Sequence, residues 1–376
     1  MIQLFRGQWT GYTSSNSFAV ININEKENEI DGRISEFETI TINENNYSFW
    51  LWSTFIGTIS ESKKIEGHLY IQSLHDKTGR ELSKKELAEL FDKANVEYPK
   101  QVAFTGELIS DTELQIQTIS LFPTNPKRIE DFKLKKTAKT SSTAPHVHMK
   151  WEQFKTFASA QKDGLVYRGQ AKSWPLQTSY HKTGHADLVS YLDNQVRELE
   201  HYINSISKHI YNVSEDRSLG ALINLAQHHG YPTPLLDWTK SPYVAAFFAF
   251  ENKHELSKNG KVNIFIFDEQ KWSNQASRNA TIRAPHVMVR TIELPGFNNP
   301  RVLPQQALTM FSNMNDIEQV IQSNEQSKGD FLNRITIDVS EAEKAMRDLN
   351  LMGLSYGSLF PGFDGICKQL KARHFT

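Results

Sequence analysis

The chain has 376 residues, more than the roughly 250–300 at which a single hydrophobic core stops growing, so two domains are expected. Hydrophobic residues at 39% and aromatic residues at 11% exclude an intrinsically disordered protein. Forty-two Lys and Arg residues against 43 Asp and Glu residues give a net charge of -1, which excludes a strong overall field toward nucleic acid or anionic lipid.

Cysteine usage and the apolar runs predict a cytoplasmic protein that does not bind membranes. Cys367 is the only cysteine, so no intrachain disulfide can form. No uncharged apolar run reaches the roughly 18 residues of a membrane helix. Residues 1–6 lack the apolar core of a secretion signal.

Residues 1–125 predict a β-rich domain. Ala19, Ile21 and Ile23 show the period-two spacing of a strand with one solvent-facing side. Glycines lie between or beside the apolar runs, which favours an antiparallel barrel or sandwich. Ser83 followed by Glu86 predicts a capped short helix within this domain.

Residues 126–149 predict a basic, flexible linker. Residues 133–148 contain no acid and no apolar periodicity, which is typical of a solvated tether.

Residues 150–376 predict a mixed α+β domain. Seven apolar residues at spacings of three or four predict one long helix with a buried stripe: Leu188, Leu192, Val196, Leu199, Ile203, Ile206 and Ile210. Strands are predicted at 164–167, 262–267, 287–294 and 331–339, and further helices at 219–228, 244–250, 340–351 and 363–372.

Two motifs carry weak chemical signals. Ser355 lies in a G-x-S-x-G pattern, but a helical stretch precedes it where a nucleophile elbow needs a strand, so a glycine-rich turn is predicted. Asp237 with Glu269 and Lys271 matches the acid, acid, lysine set of metal-dependent nucleases, which leaves that function as an alternative. No His or Cys spacing fits a zinc site, and no metal ligand is assigned.

The segment Tyr167-Arg168-Gly169-Gln170 places an arginine at a strand end. Its guanidinium can present a bidentate fork to a phosphate, and the glycine lets a ligand approach the main chain. An interdomain salt bridge made by Arg168 is the equally open alternative.

A second polar segment follows the helix at 219–228. Gly230 suits a left-handed helix cap, which places His228 in the last turn, where the helix dipole favours histidine regardless of chemistry. Asp237, Thr239 and Ser241 share one face if the chain is extended there, although Ser241 before Pro242 also suits a helix N-cap.

These segments resemble the FRG domain family over about residues 150–370. The match is carried by Tyr167-Arg168-Gly169-Gln170, by 227–230 with 235–242, by 299–307 and by 359–365. Phe5-Arg6-Gly7-Gln8 spells the same start without the downstream segments, so it is predicted to be the first strand of the barrel.

More distantly, the pattern resembles ADP-ribosyltransferases of the Arg, Ser-Thr-Ser, Glu type. The resemblance implies an NAD-contacting set of Tyr167, Arg168, Gly169, Gln170 and Trp238, and a catalytic set of Arg168, His228, Asp237, Thr239, Ser241 and Gln306. In the mechanism that this resemblance implies, Arg168 binds the pyrophosphate of NAD, while Thr239 and Ser241 orient the nicotinamide ribose. Gln306 stands where these enzymes carry glutamate, which reduces support for the positive charge that develops on the ribose.

The resemblance therefore implies an effector that takes NAD as a substrate and transfers ADP-ribose to a macromolecular acceptor, either protein or nucleic acid. A toxin or phage-defence component fits that activity. A non-enzymatic module that recognises a phosphorylated ligand or a nucleic-acid end stays open as an alternative. The acceptor and the oligomeric state are not indicated by the sequence.

Overall fold

Two sheets organise the chain: a closed barrel of eight strands, followed by a seven-stranded sheet with helices on both faces. The computed structural model describes residues 3–42, 44–94, 99–123, 127–137, 139–251, 257, 259–274, 282–283, 285–296, 299–328 and 330–375. The predicted fold class, an N-terminal antiparallel β domain and a C-terminal α+β domain, is confirmed, with the barrel as the β architecture.

The barrel closes because its first strand pairs with both the second and the last. Its strands are β1 Gly7–Thr13, β2 Phe18–Lys26, β3 Glu29–Ile42, β4 Asn45–Ile59, β5 Lys64–Asp76, β6 Gln101–Ser110, β7 Glu113–Leu121 and β8 Arg128–Lys136. Alternate residues such as Ile21, Ile34 and Phe104 form its core. Helix α1 (Lys84–Ala94) starts with the predicted capping box, in which Ser83 and Glu86 exchange hydrogen bonds.

The linker prediction for residues 126–149 is wrong over much of its length. Strand β8 occupies Arg128–Lys136, and His146–His148 form β9, which pairs in parallel with β15 (Leu332–Asp338) of the second sheet. Between them, the Thr143 amide donates to Glu318 Oε2 at 2.7 Å. In β8, Phe132 and Leu134 face the barrel core while Lys133 and Lys135 face outward, a short alternation that the basic composition conceals.

The second sheet has the order β13-β14-β11-β10-β12-β15-β9, and β9 is its one parallel strand. The strands not yet placed are β10 Leu165–Gln170, β11 Leu235–Thr239, β12 Lys261–Asp268, β13 Val289–Ile292 and β14 Ala307–Ser312. The helices are α2 Trp151–Ser159, α3 Ser179–Lys182, α4 Leu188–Ser190, α5 Arg197–Ile206, α6 Asp216–His228, α7 Pro242–Phe250, α8 Glu269–Ser273, α9 Ile317–Lys328, α10 Ala342–Leu351, α11 Tyr356–Leu359 and α12 Phe363–His374.

Alternating residues of β10 divide the hydrophobic core between the two faces of the sheet. Tyr167 belongs to the cluster under α2, α7 and α10, whereas Val166 belongs to the cluster under α8 and α9. Within the described ranges, no helix combines the length and apolar character needed to cross a membrane.

The long helix predicted from Leu188 is interrupted. Tyr191–Val196 form a π-helical segment between α4 and α5, and the helical stretch ends at Ile206. Leu192 and Val196 are buried as predicted, but Ile206 and Ile210 are 82% and 68% exposed, so the apolar stripe is buried only over its first turns.

The two domains contact each other through β1 and β3. Gln8 Nε2 donates to the Asn313 carbonyl at 2.8 Å, and Gln8 Oε1 accepts from the Asn315 amide at 2.8 Å. Arg33 forms an ion pair with Asp187, which is 1% exposed. The segment at residues 5–8 therefore begins the barrel, as predicted, and also docks it onto the second domain.

Candidate functional site

A cleft opens where the second sheet splits. Strands β10 and β11 pair only at Tyr167 and Thr239; beyond that pair β10 continues along β12, and β11 continues along β14. The resulting cavity has a volume of about 780 Å³. Ligand pockets typically measure about 300–1,000 Å³, so the cleft is large enough for a sizeable ligand.

Arg168 bridges the two separating strands. Its Nη1 donates to the main-chain carbonyl of Asp237 at 2.5 Å, while its buried Nε has no hydrogen-bond partner among the described residues. Burial lowers the pKa of Arg168, and the charge of Asp237 opposes that shift. Within the described ranges Arg168 makes no ion pair, so the interdomain salt bridge considered for it is not observed.

The carboxylate of Asp237 is exposed to the cleft and held from one side. Gln227 Nε2 donates to its Oδ1, and the Thr233 hydroxyl donates in turn to Gln227 Oε1. The other oxygen, Oδ2, has no hydrogen-bond partner in the part of the chain that the structure describes. The arrangement therefore presents one fixed and available carboxylate oxygen to a ligand.

His228, the last residue of α6, also lines the cleft. The Asn299 amide donates to its Nε2, while Asn299 Oδ1 accepts from the Arg301 amide at 3.1 Å. Burial lowers the pKa of His228; Asp237 opposes this shift, and Arg301 and His229 add to it. The lowered pKa favours the neutral imidazole, which disfavours a role for His228 as a general acid near neutral pH.

The charge of the cleft is positive. Six charged side chains line it: Arg168, Lys182, Lys240, Arg301, Asp237 and Glu293. Lys240 pairs with Glu293 at 2.8 Å on the exposed rim. Partial burial lowers the pKa of Lys182, and the neighbouring charge of Arg168 lowers it further. An excess of basic groups in one concave site favours an anionic ligand.

Gly169 and Trp238, both predicted to contact a ligand, line the cleft and also pack in the core. A Cβ at Gly169 would lie 1.8 Å from the Ala245 carbonyl oxygen, so this glycine is required by the close packing of α7 on β10. Trp238 is 2% exposed and packs on Phe267 at a ring distance of 5.6 Å. Trp238 also lines the cleft, and its indole Nε1 is buried without a hydrogen-bond partner among the described residues.

Asp237, Thr239 and Ser241, which were predicted to share one face, do not point into the cleft together. The Thr239 hydroxyl is buried, donates to the Gln305 carbonyl at 2.7 Å and accepts from the Ser241 amide at 3.0 Å. Ser241 Oγ caps α7 by accepting from the Val244 amide at 3.3 Å, and Ser241 does not line the cleft. Asp237 and Thr239 both line the cavity, but of these two only Asp237 is exposed, and the chain turns into the helix after Thr239.

The other predicted residues lie at the cleft with different contacts. Gln170 Nε2 donates to the Trp174 carbonyl at 2.8 Å and supports the loop after β10. Burial raises the pKa of Tyr167 to about 12, so its hydroxyl remains a donor. Gln306 has a left-handed φ of 47°, its side chain is exposed, and its carbonyl accepts from the Lys240 amide at 3.0 Å.

Several cleft residues were not assigned a role from the sequence, although most lie in the segments that carried the family resemblance. The turn at 299–306 brings Arg301 over the ring of Phe360 at 5.2 Å, which orients its guanidinium at the wall. Gln305 Nε2 donates to the Leu359 carbonyl at 2.9 Å and holds this turn against α11. The two segments are adjacent in space, a fact that their spacing along the chain does not reveal.

The nuclease residues do not form a site with Asp237. Glu269 accepts from the Thr291 hydroxyl at 2.9 Å and Lys271 pairs with Asp268; neither Glu269 nor Lys271 lines the cleft. Across the described residues, no group of three or more His, Cys, Asp or Glu side chains is arranged to hold a metal ion. Ser355 is the N-cap of the short helix α11, in agreement with the predicted turn.

Comparisons with known proteins find a family match over part of the segment that builds this cleft. Residues 163–258 match the model of the FRG domain, a range that contains β10, α6, β11 and α7. No curated protein matches the chain. Among solved structures, the chain is similar to a bovine odorant binding protein, a deswapped triple mutant, at 9% identity over 36% of this chain and 72% of that chain, with a TM-score of 0.17.

Proposed function

From the FRG domain and its cleft, we propose that this protein binds NAD between β10 and β11 and transfers ADP-ribose to a macromolecular acceptor, either protein or nucleic acid. One observation carries the proposal: Arg168, with an unpartnered buried Nε, and Asp237, with an available Oδ2, face the same cavity of about 780 Å³. The first group suits a phosphate and the second suits a ribose hydroxyl.

The basic residues of the cleft match a pyrophosphate. Arg168 is held in place by the Asp237 carbonyl, and Arg301 by the ring of Phe360, so both guanidinium groups are oriented before a ligand arrives. Lys182 adds a third positive charge on the same cavity. Phe248 and Phe360 form an apolar wall, with ring centroids 5.8 Å apart.

Asp237 is the residue best placed to supply the negative charge that Gln306 lacks. In the transfer, the bond between nicotinamide and ribose breaks and nicotinamide leaves with the electron pair, while a nucleophile of the acceptor bonds to the same carbon and releases its proton to water. Asp237 would accept a hydrogen bond from the ribose and support the positive charge that develops there. The Gln227 and Thr233 contacts hold this carboxylate in position.

A second candidate is a non-enzymatic module that binds a phosphorylated ligand. It is favoured by Gln306, which carries an amide where ADP-ribosyltransferases carry a carboxylate, and by the pairing of Glu293 with Lys240. A role as a toxin or in phage defence follows from the family resemblance alone.

The test combines calorimetric titration with NAD and release of labelled nicotinamide. Asp237→Asn is expected to reduce nicotinamide release by about 100-fold while NAD binding changes little, because the amide keeps the shape but not the charge. Arg168→Lys should weaken NAD binding by roughly tenfold, since lysine lacks the fork. Arg347→Ala, on the exposed surface of α10 and away from the cleft, is the control.

Three outcomes separate the candidates. Loss of release in Asp237→Asn supports the transferase. Tight NAD binding without release in the wild type supports the recognition module. Absence of NAD binding in the wild type, or equal binding by wild type and Arg168→Lys, rejects the cleft as an NAD site.

A further inference from the structure

The barrel contains a second cavity, which is separate from the cleft and partly open to solvent. Its volume is about 180 Å³, and it is lined by the six strands β3 to β8 and by Phe91 of α1. Most of its wall is apolar: Ile34, Phe49, Leu51, Leu69, Val102 and Phe132. An apolar wall of this kind favours the hydrocarbon part of a ligand.

Three glutamates project into this apolar space. Glu36 and Glu38 come from β3, and Glu130 comes from β8. These strands are not neighbours in the barrel, but the β1–β2 hairpin between them stops short: its last pairs are Thr13 with Phe132 and Phe18 with Phe37. Beyond the hairpin, the interior faces of β3 and β8 confront each other directly, which brings the carboxylates to one end of the cavity.

The carboxylates are not fully compensated by the protein. Glu36 is 5% exposed and Glu130 is 9% exposed, and Oε1 of each is buried without a hydrogen-bond partner among the described residues. Among the described residues, Arg128 is the one basic side chain on the cavity wall, and its Nη2 donates to Glu130 Oε2 at 3.4 Å. Buried carboxylates without partners are costly, so a cation bound beside them would stabilise the folded barrel.

The titration behaviour agrees with this charge excess. Burial raises the pKa of Glu36 well above its ordinary value, and the charges of Glu38 and Glu130 raise it further while Arg128 opposes them. Burial also raises the pKa of Glu38. Protonation of these carboxylates therefore competes with the binding of a cation beside them.

From the apolar wall and the unpartnered carboxylate oxygens at one end, we propose that the barrel cavity binds a small organic ammonium ion with an apolar body. A metal ion is disfavoured because no three carboxylate, imidazole or thiolate groups of the described chain are arranged as its ligands. A cavity of about 150 Å³ takes up benzene, so 180 Å³ suits a single ring with a short ammonium arm.

The experiment uses the full chain and three probes of nearly equal shape: benzylammonium, benzyl alcohol and benzoate. Calorimetric titration and the shift in melting temperature are measured for each probe. Benzylammonium is expected to bind at least about tenfold more tightly than benzyl alcohol, and benzoate is expected not to bind, because only the cation pairs with the glutamates.

Two isosteric variants locate the site. Glu36→Gln and Glu130→Gln should each weaken benzylammonium binding by about tenfold or more and leave benzyl alcohol binding unchanged. Both remove a buried charge without changing volume, so both are expected to fold. Glu113→Gln is the control, because Glu113 lies on the barrel exterior and pairs with Lys135 at 3.1 Å.

The proposal is overturned by equal affinity for benzylammonium and benzyl alcohol, by no binding of benzylammonium at millimolar concentration, or by unchanged benzylammonium affinity in both cavity variants. Stabilisation by Ca²⁺ or Zn²⁺ without stabilisation by benzylammonium would also overturn it, in favour of a metal site. The probe series on the wild-type chain does not depend on the folding of any variant.

Discussion

Replacement of Gly169 by alanine is expected to destabilise the second domain strongly. The new Cβ would lie 1.8 Å from the Ala245 carbonyl oxygen and 2.6 Å from the Ala249 amide nitrogen. Ordinary contact begins at 3.4 Å, so helix α7 and strand β10 must separate by roughly 1.6 Å, the difference between 3.4 and 1.8. Overpacking costs about 1–3 kcal/mol, and the upper end applies here because both obstructing atoms belong to the main chain and cannot rotate away.

Thermal and urea unfolding, followed by circular dichroism, measure this effect. A loss of about 3 kcal/mol corresponds to a decrease of roughly 6–12 °C in the melting temperature of a domain of this size. Gly220→Ala is the matched control: its Cβ would meet only Leu294 Cδ2, at 2.7 Å, and this side-chain end can move. Its position inside α6 also favours alanine over glycine by up to about 1 kcal/mol.

The two interpretations of Gly169 give opposite results. If its role is to pack α7 on β10, Gly169→Ala lowers the melting temperature and Gly220→Ala does not. If Gly169→Ala instead melts like the wild type but loses NAD binding, the packing argument is refuted and the ligand interpretation made from the sequence is restored.

Three further predictions concern single side chains. Burial lowers the pKa of His181 to about 4, below its ordinary value of 6.5, so the unfolded chain binds more protons than the folded chain between these pH values. The free energy of unfolding should therefore fall by about 3 kcal/mol as the pH decreases from 6.5 to 4. His181→Gln should flatten this pH dependence in urea titrations. Ser241→Ala should cost about 1 kcal/mol of unfolding free energy, because it removes the cap of α7, and leave calorimetric NAD affinity unchanged; a large loss of affinity would return Ser241 to the site. Arg33→Ala should cost roughly 3 kcal/mol because it leaves Asp187 buried without its cation; an unchanged melting curve would show that this pair does not hold the domains together.

The sequence by itself determined the local elements of this protein. The capping box of Ser83 and Glu86, the left-handed Gly230 that ends α6 and the Ser241-Pro242 start of α7 all depend on hydrogen bonds and torsions within a few residues. The barrel strands followed from period-two alternation, and the FRG match followed from segments that the chain itself displays. Such features need no knowledge of distant neighbours.

Only the tertiary structure decided which groups meet. The sequence predicted roles for Arg168 and Asp237, but only the separation of β10 from β11 places both residues at one cavity. The turn that carries Arg301 reaches the same cavity, although Arg301 lies about 60 positions after Asp237 in the chain. The same long-range packing places Gly169 against α7 and buries Trp238 at the cleft. It also brought Glu36 and Glu130 together across the barrel. The physical reason is that strand pairing and helix packing join residues far apart in the chain, and a local pattern carries no information on that distance.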